Sequence, residues 1–199
     1  SHEIRTPMNA IIGFTDMLRN EDYSREEHGE FLTLIAENSK KLLNTIGNII
    51  DIAKIEAGQL TISHTRCSAN KILYDNYYAF EKKKSKLDKS QITFTARQYK
   101  EDDNLLFMSD PVRINQVLSN LIENAFKYTF EGTIELGYTL AEEEETKYIV
   151  YYVKDSGQGI SKGKMESIFN RFTQASDNYM STSGGTGLGL AISRNIARL

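Results

Sequence analysis

The first part of the chain carries two amphipathic helical patterns. Apolar positions between residues 4 and 18 recur at alternating spacings of four and three, which is typical of the seam of a helical bundle. The polar stretch "RNEDY" interrupts this pattern, and Ser24 followed by Glu27 has the spacing of a capping box that starts a second helix. The alternation then continues to Gly58, a residue suited to ending a helix. The seam positions are Ile4, Met8, Ile11, Thr15, Leu18, Leu32, Ile35, Leu42, Ile46, Ile49 and Ala53, with Ser39 filling one turn.

Each of these helices can bury only one apolar stripe, so the hairpin by itself has marginal stability. A seam of this length favours pairing with a second copy, which closes a four-helix bundle. We therefore predict that residues 1–60 form a dimerisation domain and that the protein is a homodimer.

Strand-like and helical patterns alternate in the rest of the chain, from about residue 59. Helices are predicted at 70–84, at 110–128 with Asp110 as its N-cap, and from Gly187 to the end of the chain. Strands are predicted at 59–63 and 90–99, and at 133–140 and 147–155 as a hairpin around the acidic loop 141–146. Helices that cover one face of such strands predict an α+β sandwich over residues 61–199.

The overall composition is that of an ordinary globular domain, with 40% hydrophobic and 26% charged side chains among 199 residues. The 24 basic and 27 acidic residues give a net charge of -3, which provides no basic field for nucleic acid, so no such partner is expected. Cys67 is the only cysteine, which excludes an internal disulfide and favours a reducing compartment. No apolar run approaches the roughly 20 residues that cross a bilayer.

The helix predicted at 110–128 has a face that is unusual in its amides. Asn120 and Asn124 are four residues apart and share this face, and Lys127 and Tyr128 extend it by another turn. Asparagine is a poor helix former, and its carbonyl oxygen suits a hard cation such as magnesium while a lysine meets phosphate. An ordinary polar outer face is the alternative. The opposite, core-facing side is predicted to contain Ile114, Val117, Leu118, Leu121 and Ala125.

Two glycine-containing stretches follow this helix. In "KDSGQGI", Gly157 and Gly159 allow a flat ligand to approach the backbone, and Asp155 has a carboxylate that can accept from an amine such as that of adenine. An ordinary capped turn is the alternative. In "SGGTGLGLAISRN", glycines run into a helix and offer backbone N–H groups to phosphate, although the spacing is neither that of a P-loop nor that of a dinucleotide fold. A loop without a ligand is the alternative there.

His2 falls on the outer side of the first helix, beside Glu3 and one turn before Thr6. An ordinary solvated histidine is the alternative there. The zinc-protease pattern His-Glu-x-x-His fails at Thr6, and a single ligand does not hold a metal. Pro7 cannot donate to the carbonyl of Glu3, which predicts a bend in the helix next to His2.

Taken in order, these stretches resemble the motifs of bacterial sensor histidine kinases. "SHEIRTPMNAII" resembles the phosphoacceptor box and "NLIENAFKYT" the asparagine box, while "DSGQGI" and "GGTGLGLAI" resemble the two glycine boxes, with the phenylalanine box "IFNRFTQ" between them. The resemblance covers nearly the whole chain. It implies a phosphoacceptor and dimerisation domain at 1–60 and, at 61–199, an ATP-binding domain of the histidine kinase, gyrase and heat-shock ATPase type.

The resemblance also implies roles for individual residues. His2 is implied to be phosphorylated by ATP, Glu3 to orient its ring, and Thr6 to position a water in a reverse, phosphatase reaction. Asn124, assisted by Asn120, is implied to bind Mg²⁺. The other implied nucleotide-binding residues are Lys127, Tyr128, Asp155, Gly157, Gly159, Ile160, Gly185, Thr186, Gly187, Leu188 and Gly189. The long stretch between Gly157 and Gly187 is expected to form a lid that ATP orders.

The activity implied is that of a protein-histidine kinase that passes its phosphoryl group to an aspartate of a response-regulator receiver domain, in a separate chain or its own. The alternatives are a hydrolytic ATPase of the same superfamily and a dimeric ATP-binding scaffold without turnover. Hydrolytic relatives carry glutamate where this chain has Asn120, and an amide cannot act as that base.

We expect this sequence to be truncated at both ends and to lie in the cytoplasm. It is expected to belong to a longer protein that is anchored in the inner membrane through segments outside this sequence.

Overall fold

A short turn folds the helices α1 (His2–Met17) and α2 (Arg25–Glu56) onto one another. The computed structural model of the protein describes residues 2–20, 22–84, 89–99, 105–171 and 187–199. It confirms the predicted capping box at the start of α2. The Ser24 hydroxyl accepts from the N–H of Glu27, and the Glu27 carboxylate accepts from the N–H of Ser24.

Two further predictions for this hairpin concern its backbone. Gly58 follows the end of α2 with a φ of 64°, in the left-handed region that favours glycine, so it ends the helix as predicted. Pro7 lies inside α1, which continues through it without interruption, and its ring is buried.

Helix α2 has two apolar sides rather than the single seam that was predicted. Thr45 is buried and Phe31 is half-buried, and the Phe31 ring stacks at 6.0 Å on the Phe14 ring of α1. A second set of apolar side chains in the hairpin remains exposed within one chain, namely Met8, Ile12, Leu32, Leu43, Ile46, Ile49 and Ile50. Apolar side chains repeated along an exposed helix are typical of an interaction face.

The rest of the described chain forms an α+β domain, as predicted. Its elements, in order, are β1 (Thr65–Ser68), α3 (Ala69–Lys84), β2 (Ile92–Arg97), β3 (Leu106–Ser109), α4 (Pro111–Tyr128), β4 (Gly132–Glu143), β5 (Thr146–Asp155), two 3₁₀ turns (Lys162–Lys164 and Ser167–Phe169) and α5 (Gly189–Ile196). Strands β2, β4 and β5 form one sheet in that order, in which β4 is parallel to β2 and antiparallel to β5. Strands β1 and β3 form a separate antiparallel pair.

The core of this domain lies between the three-stranded sheet and the helices α3 and α4. Leu118 and Ala125 of α4 are buried, as predicted, whereas Ile114, Val117 and Leu121 are half-buried. Ile122 and Phe126 are also buried and were missed. Compared with the predicted stripe, the core-facing side of α4 is therefore rotated towards Ile122 and Phe126.

Several predicted boundaries of elements are wrong. Residues 59–63 form no strand, and the strand forms instead at β1, where it pairs with β3. Strand β3 was missed because it is short and only alternate residues are half-buried, which is a weak pattern. Helix α5 ends at Ile196 instead of continuing to the end of the chain. The acidic loop is shorter than predicted, because β4 and β5 extend into it and leave Glu144 and Glu145 as the turn, with φ of 48° and 66°.

The chain divides into two compact units, Ser1–Leu60 and Thr61–Leu199. No helix formed by the described residues combines the length and the apolar character that a membrane span requires.

Asp110 fixes the start of α4, the helix that carries the candidate amide residues. Its Oδ1 accepts from the N–H groups of Val112 at 3.0 Å and Arg113 at 3.1 Å, and its Oδ2 accepts from the N–H of Ser63 at 3.1 Å. Burial acts to raise the pKa of Asp110, but the three backbone donors and the Arg113 charge outweigh it and hold the pKa below its usual value. A lowered pKa means that the ionised carboxylate stabilises the fold above its unfolded-state pKa, and that this stability is lost as the pH falls through the folded-state pKa.

We expect Asp110→Asn to lower the free energy of unfolding at pH 7 by on the order of 1 kcal/mol, since the cap keeps an acceptor oxygen but loses its charge. The difference from wild type should shrink as the pH falls through the folded-state pKa of Asp110. Urea unfolding between pH 7 and pH 3 measures it. The control is Asp75→Asn, which removes an exposed ion pair with Lys71 and should cost little. A difference that does not depend on pH would contradict this account of the cap.

Candidate functional site

His2 is exposed in the first turn of α1, and its ring meets Thr6. The Thr6 hydroxyl donates to the His2 carbonyl oxygen at 3.1 Å, and its oxygen lies 3.4 Å from His2 Nδ1. Because the hydroxyl hydrogen is used on the carbonyl, Thr6 can only accept from the ring, which favours the tautomer with its hydrogen on Nδ1. His2 Nε2 then keeps its lone pair. Within the described part of the chain, Thr6 makes the hydrogen-bond contact with the ring, and Glu3 makes no hydrogen bond or ion pair with it.

Asn124, Lys127 and Tyr128 occupy the half-buried side of α4 that was predicted to bind a nucleotide. The Lys127 ammonium lies 5.2 Å from the centre of the Tyr128 ring, which is a cation–π contact. Tyr128 is the last residue of α4, so a positive charge and a flat aromatic surface stand together at this end of the helix. Such a pair suits a ligand that has both phosphate groups and a planar base.

Asn120 connects α4 to the glycine stretch at the start of α5. Its Nδ2 donates to the carbonyl oxygen of Gly189 and to the hydroxyl of the buried Ser193, both at 3.2 Å. A Cβ on Gly189 would lie 3.4 Å from the Asn120 amide, so the helices approach closely at this glycine. The amide group that was predicted to assist a metal is thus used as a hydrogen-bond donor that holds α5 against α4.

The loop after β5 packs directly on the C-terminal end of α4. Asp155 is exposed at the end of the strand, and its Oδ1 accepts from the N–H of Gly157 at 2.9 Å. A Cβ on Gly157 would lie 2.6 Å from the carbonyl oxygen of Tyr128, which leaves no room for a side chain. The N–H of Gln158 donates to the same carbonyl at 3.4 Å. The first glycine stretch and the asparagine helix therefore form one local structure.

The remaining predicted site residues are distributed along the two glycine stretches. Gly159 and Gly187 have φ of 68° and 65°, a conformation that glycine adopts without strain. Ile160 is 45% exposed and Leu188 is buried. Gly185, Thr186 and residues 172–184 of the predicted lid lie outside the described residues.

Ser193 and Thr129 are two residues near this site that sequence reasoning missed. Ser193 was recognisable as a polar residue four positions after Gly189, on the same face of α5. Thr129 directly follows the predicted helix and is buried beside Gly157. Nothing in the sequence pattern distinguishes it from an ordinary residue after a helix end.

The donor set at this site determines which metal it suits. The described residues contain no group of three or more histidine, cysteine, aspartate or glutamate side chains that could hold a metal ion. Asn124, on the half-buried side of α4, offers an amide oxygen, which suits a hard cation that is shared with phosphate oxygens and water. The residues therefore fit Mg²⁺ carried by a nucleotide better than a metal held by the protein alone.

Each of the two compact units contains a match to a known protein-family model. The model of the His Kinase A (phospho-acceptor) domain matches residues 1–58, and that of the histidine kinase-, DNA gyrase B- and HSP90-like ATPase matches residues 109–199. The sensor protein GacS of Pseudomonas syringae pv. syringae is 35% identical over 98% of this chain and 21% of its own length. The chain thus spans about a fifth of that relative's length.

Solved structures show the same fold. The histidine kinase AdeS of Acinetobacter baumannii superimposes with a TM-score of 0.71 over 98% of this chain and 85% of its own, at 21% identity. The histidine kinase ThkA, solved in complex with the response regulator protein TrrA, superimposes with a TM-score of 0.55 over 87% of this chain and 48% of its own, at 25% identity. With the two matched domain models, these similarities establish that the chain belongs to the sensor histidine kinases and contains their phosphoacceptor and ATP-binding domains.

Proposed function

We propose that this part of the protein uses ATP to phosphorylate His2 and then passes the phosphoryl group to an aspartate of a response-regulator receiver domain. The observation that carries the proposal is the exposed His2 ring, whose contact with Thr6 favours a free lone pair on Nε2. A neutral imidazole nitrogen is a nucleophile near neutral pH. The second unit supplies the residues for ATP, so the two units must meet during the reaction.

In the proposed reaction, the lone pair of His2 Nε2 forms a bond to the γ-phosphorus of ATP. The bond between that phosphorus and the β,γ-bridging oxygen breaks, and ADP leaves with the electron pair. The hydrogen on Nδ1 then passes to water, which leaves a neutral imidazole ring that carries the anionic phosphoryl group on Nε2. Protein groups mainly position the reactants and neutralise charge in such transfers.

Each of the proposed nucleotide-binding residues contacts a different part of ATP. Lys127 offers its ammonium to the phosphates, Tyr128 offers its ring face to the base, and Asp155 accepts from the 6-amino group of adenine. The amide oxygen of Asn124 would hold Mg²⁺, which neutralises phosphate charge when bound. Backbone N–H groups at Gly187 and Gly189, at the start of α5, would bind the phosphates.

Asn120 favours phosphoryl transfer over hydrolysis. An amide cannot take a proton from water as a glutamate can. Its Nδ2 also donates to Gly189 and Ser193, and an ionised glutamate has no hydrogen to make these two bonds. A phosphatase reaction on the same partner is a second activity that the Thr6 hydroxyl, next to the His2 ring, supports.

The partners we propose are a second copy of the chain and a receiver domain. The exposed apolar side chains of α1 and α2 support a four-helix bundle between two copies. ThkA was solved with a response regulator protein, which supports a partner of that kind here. Because ATP and such regulators occur in the cytoplasm, we place this part of the protein there.

His2→Gln should abolish acid-labile labelling from ATP that carries a radioactive γ-phosphate, because the nucleophilic nitrogen is lost. The control is His64→Gln, which removes another exposed histidine and should label like wild type. Calorimetric titration should show that both variants still bind an ATP analogue. Labelling that persists at another residue in His2→Gln would refute the assignment.

Gly157→Ala should weaken the binding of a non-hydrolysable ATP analogue by about tenfold or more. The added Cβ lies 2.6 Å from the carbonyl oxygen of Tyr128, so the loop must move and displace Asp155. Gly163→Ala is the matched control, since a Cβ there meets nothing within 4 Å. Isothermal titration calorimetry with Mg²⁺ measures both, and equal affinities in the two variants would contradict the proposed role of the loop.

Replacing Ile46 and Ile50 together by glutamate should convert the dimer to a monomer at micromolar concentration. Both side chains are exposed within one chain, and charges there have to be desolvated when two copies pair. Light scattering after size-exclusion chromatography measures the mass, with Asn44→Glu on the exposed surface of α2 as the control. A wild-type protein that is already monomeric would remove the dimer from the proposal.

A further inference from the structure

Thr129 buries a hydroxyl group that has no hydrogen-bond partner within the described part of the chain. Its backbone is fully used: the N–H donates to the carbonyl oxygen of Ala125 at 3.0 Å, and its own carbonyl accepts from the Lys89 ammonium at 3.0 Å. The side-chain hydroxyl is therefore the one polar group of this residue left without a bond. A buried hydroxyl without a partner costs free energy, so its position calls for an explanation.

This hydroxyl lies beside the loop after β5, which contains Asp155 and Gly157. A Cβ built on Gly157 would lie 2.9 Å from Thr129 Oγ1, 2.9 Å from Asp155 Oδ1 and 2.6 Å from the carbonyl oxygen of Tyr128. These three oxygens thus surround one point beside the Gly157 backbone. The hydroxyl and the carboxylate are at most twice 2.9 Å apart, although they form no hydrogen bond in this structure.

Two acceptor oxygens border the same point as this hydroxyl, and they differ in strength. The carbonyl oxygen of Tyr128 already accepts from the N–H of Gln158. Asp155 Oδ1 accepts from the N–H of Gly157 at 2.9 Å and, as part of an exposed carboxylate, has room for a second donor. A hydroxyl that donates to a charged carboxylate makes a shorter and stronger bond than one that donates to an amide carbonyl.

Thr129 is also better fixed than the carboxylate it would act on. The Lys89 ammonium that binds its carbonyl packs 4.9 Å from the centre of the Phe130 ring, so the chain is held on both sides of the residue. Asp155, in contrast, stands at the exposed end of β5 with one hydrogen bond to its side chain. A fixed donor next to a less constrained carboxylate is the arrangement expected of a residue that orients another.

We propose that Thr129 is a positioning residue for Asp155. When adenine binds, the Thr129 hydroxyl donates to Oδ1 of Asp155 and turns Oδ2 towards the 6-amino group of the base. No covalent bond or proton transfer is involved. This inference rests on the proposed function, because it assumes that Asp155 accepts from adenine.

The test compares Thr129→Val, which removes the hydroxyl at nearly constant shape, with Thr129→Ser, which keeps it. Calorimetry on the whole chain with Mg²⁺ measures the dissociation constants of ATP and of inosine triphosphate, which has an oxygen in place of the 6-amino group. We expect Thr129→Val to bind ATP about tenfold more weakly and inosine triphosphate as wild type does, and Thr129→Ser to restore ATP binding. Thr95→Val, on the exposed side of β2, is the control and should change neither value.

The thermal midpoint without nucleotide separates positioning from a merely structural role. Because valine removes an unpaired buried hydroxyl, Thr129→Val should melt at the same temperature as wild type or higher. Equal ATP affinity in Thr129→Val and wild type would overturn the inference and leave the proposed function intact. An equal loss of affinity for both nucleotides with a lower melting temperature would also overturn it. A wild-type protein that does not bind ATP would overturn the proposed function, and this inference with it.

Discussion

The close approach of the loop after β5 to the C-terminal end of α4 is the constraint on which the proposed nucleotide site depends. Gly157 lies so near the Tyr128 carbonyl that even a methyl group has no room, and Gln158 then donates to that carbonyl. This contact brings Asp155 next to the residues at the end of α4. Without it, Asp155, the proposed acceptor for the base, and Lys127, the proposed group for the phosphates, would belong to separate surface elements.

Helix α4 is the common support for these groups because it is fixed along its whole length. Asp110 binds the first N–H groups of the helix and ties them to Ser63. Ile122 is wholly buried against the sheet, and Asn120 holds the start of α5. A loop that packs against a rigid helix is held in a fixed position by it. A site made partly of glycine-rich backbone can therefore still have a defined geometry.

Much of this architecture follows from local sequence, and the rest depends on partners far along the chain. The capping box of α2, the Asp110 cap and the helical period of α4 are local signals, and the structure bears them out. Strand β1 was misplaced and strand β3 was missed. Each is short, and it forms a strand only because it pairs with the other, about 40 residues away. The contact between Asn120 and Ser193 is of the same kind, since it joins motifs that the sequence shows only as two separate stretches.

The geometry of His2 suits the role proposed for it, that of an exposed side chain that is ready to react before its substrate arrives. An exposed imidazole normally exchanges between two neutral tautomers, and only the form with a free lone pair on the attacking nitrogen can react. Thr6 biases this exchange with one hydroxyl whose hydrogen is already bound to the His2 carbonyl. The bias needs only one turn of helix and no cavity, so Nε2 stays open to solvent. That openness is what the proposed reaction requires, because each of the two proposed partners, a nucleotide and a receiver domain, would have to reach the same nitrogen atom.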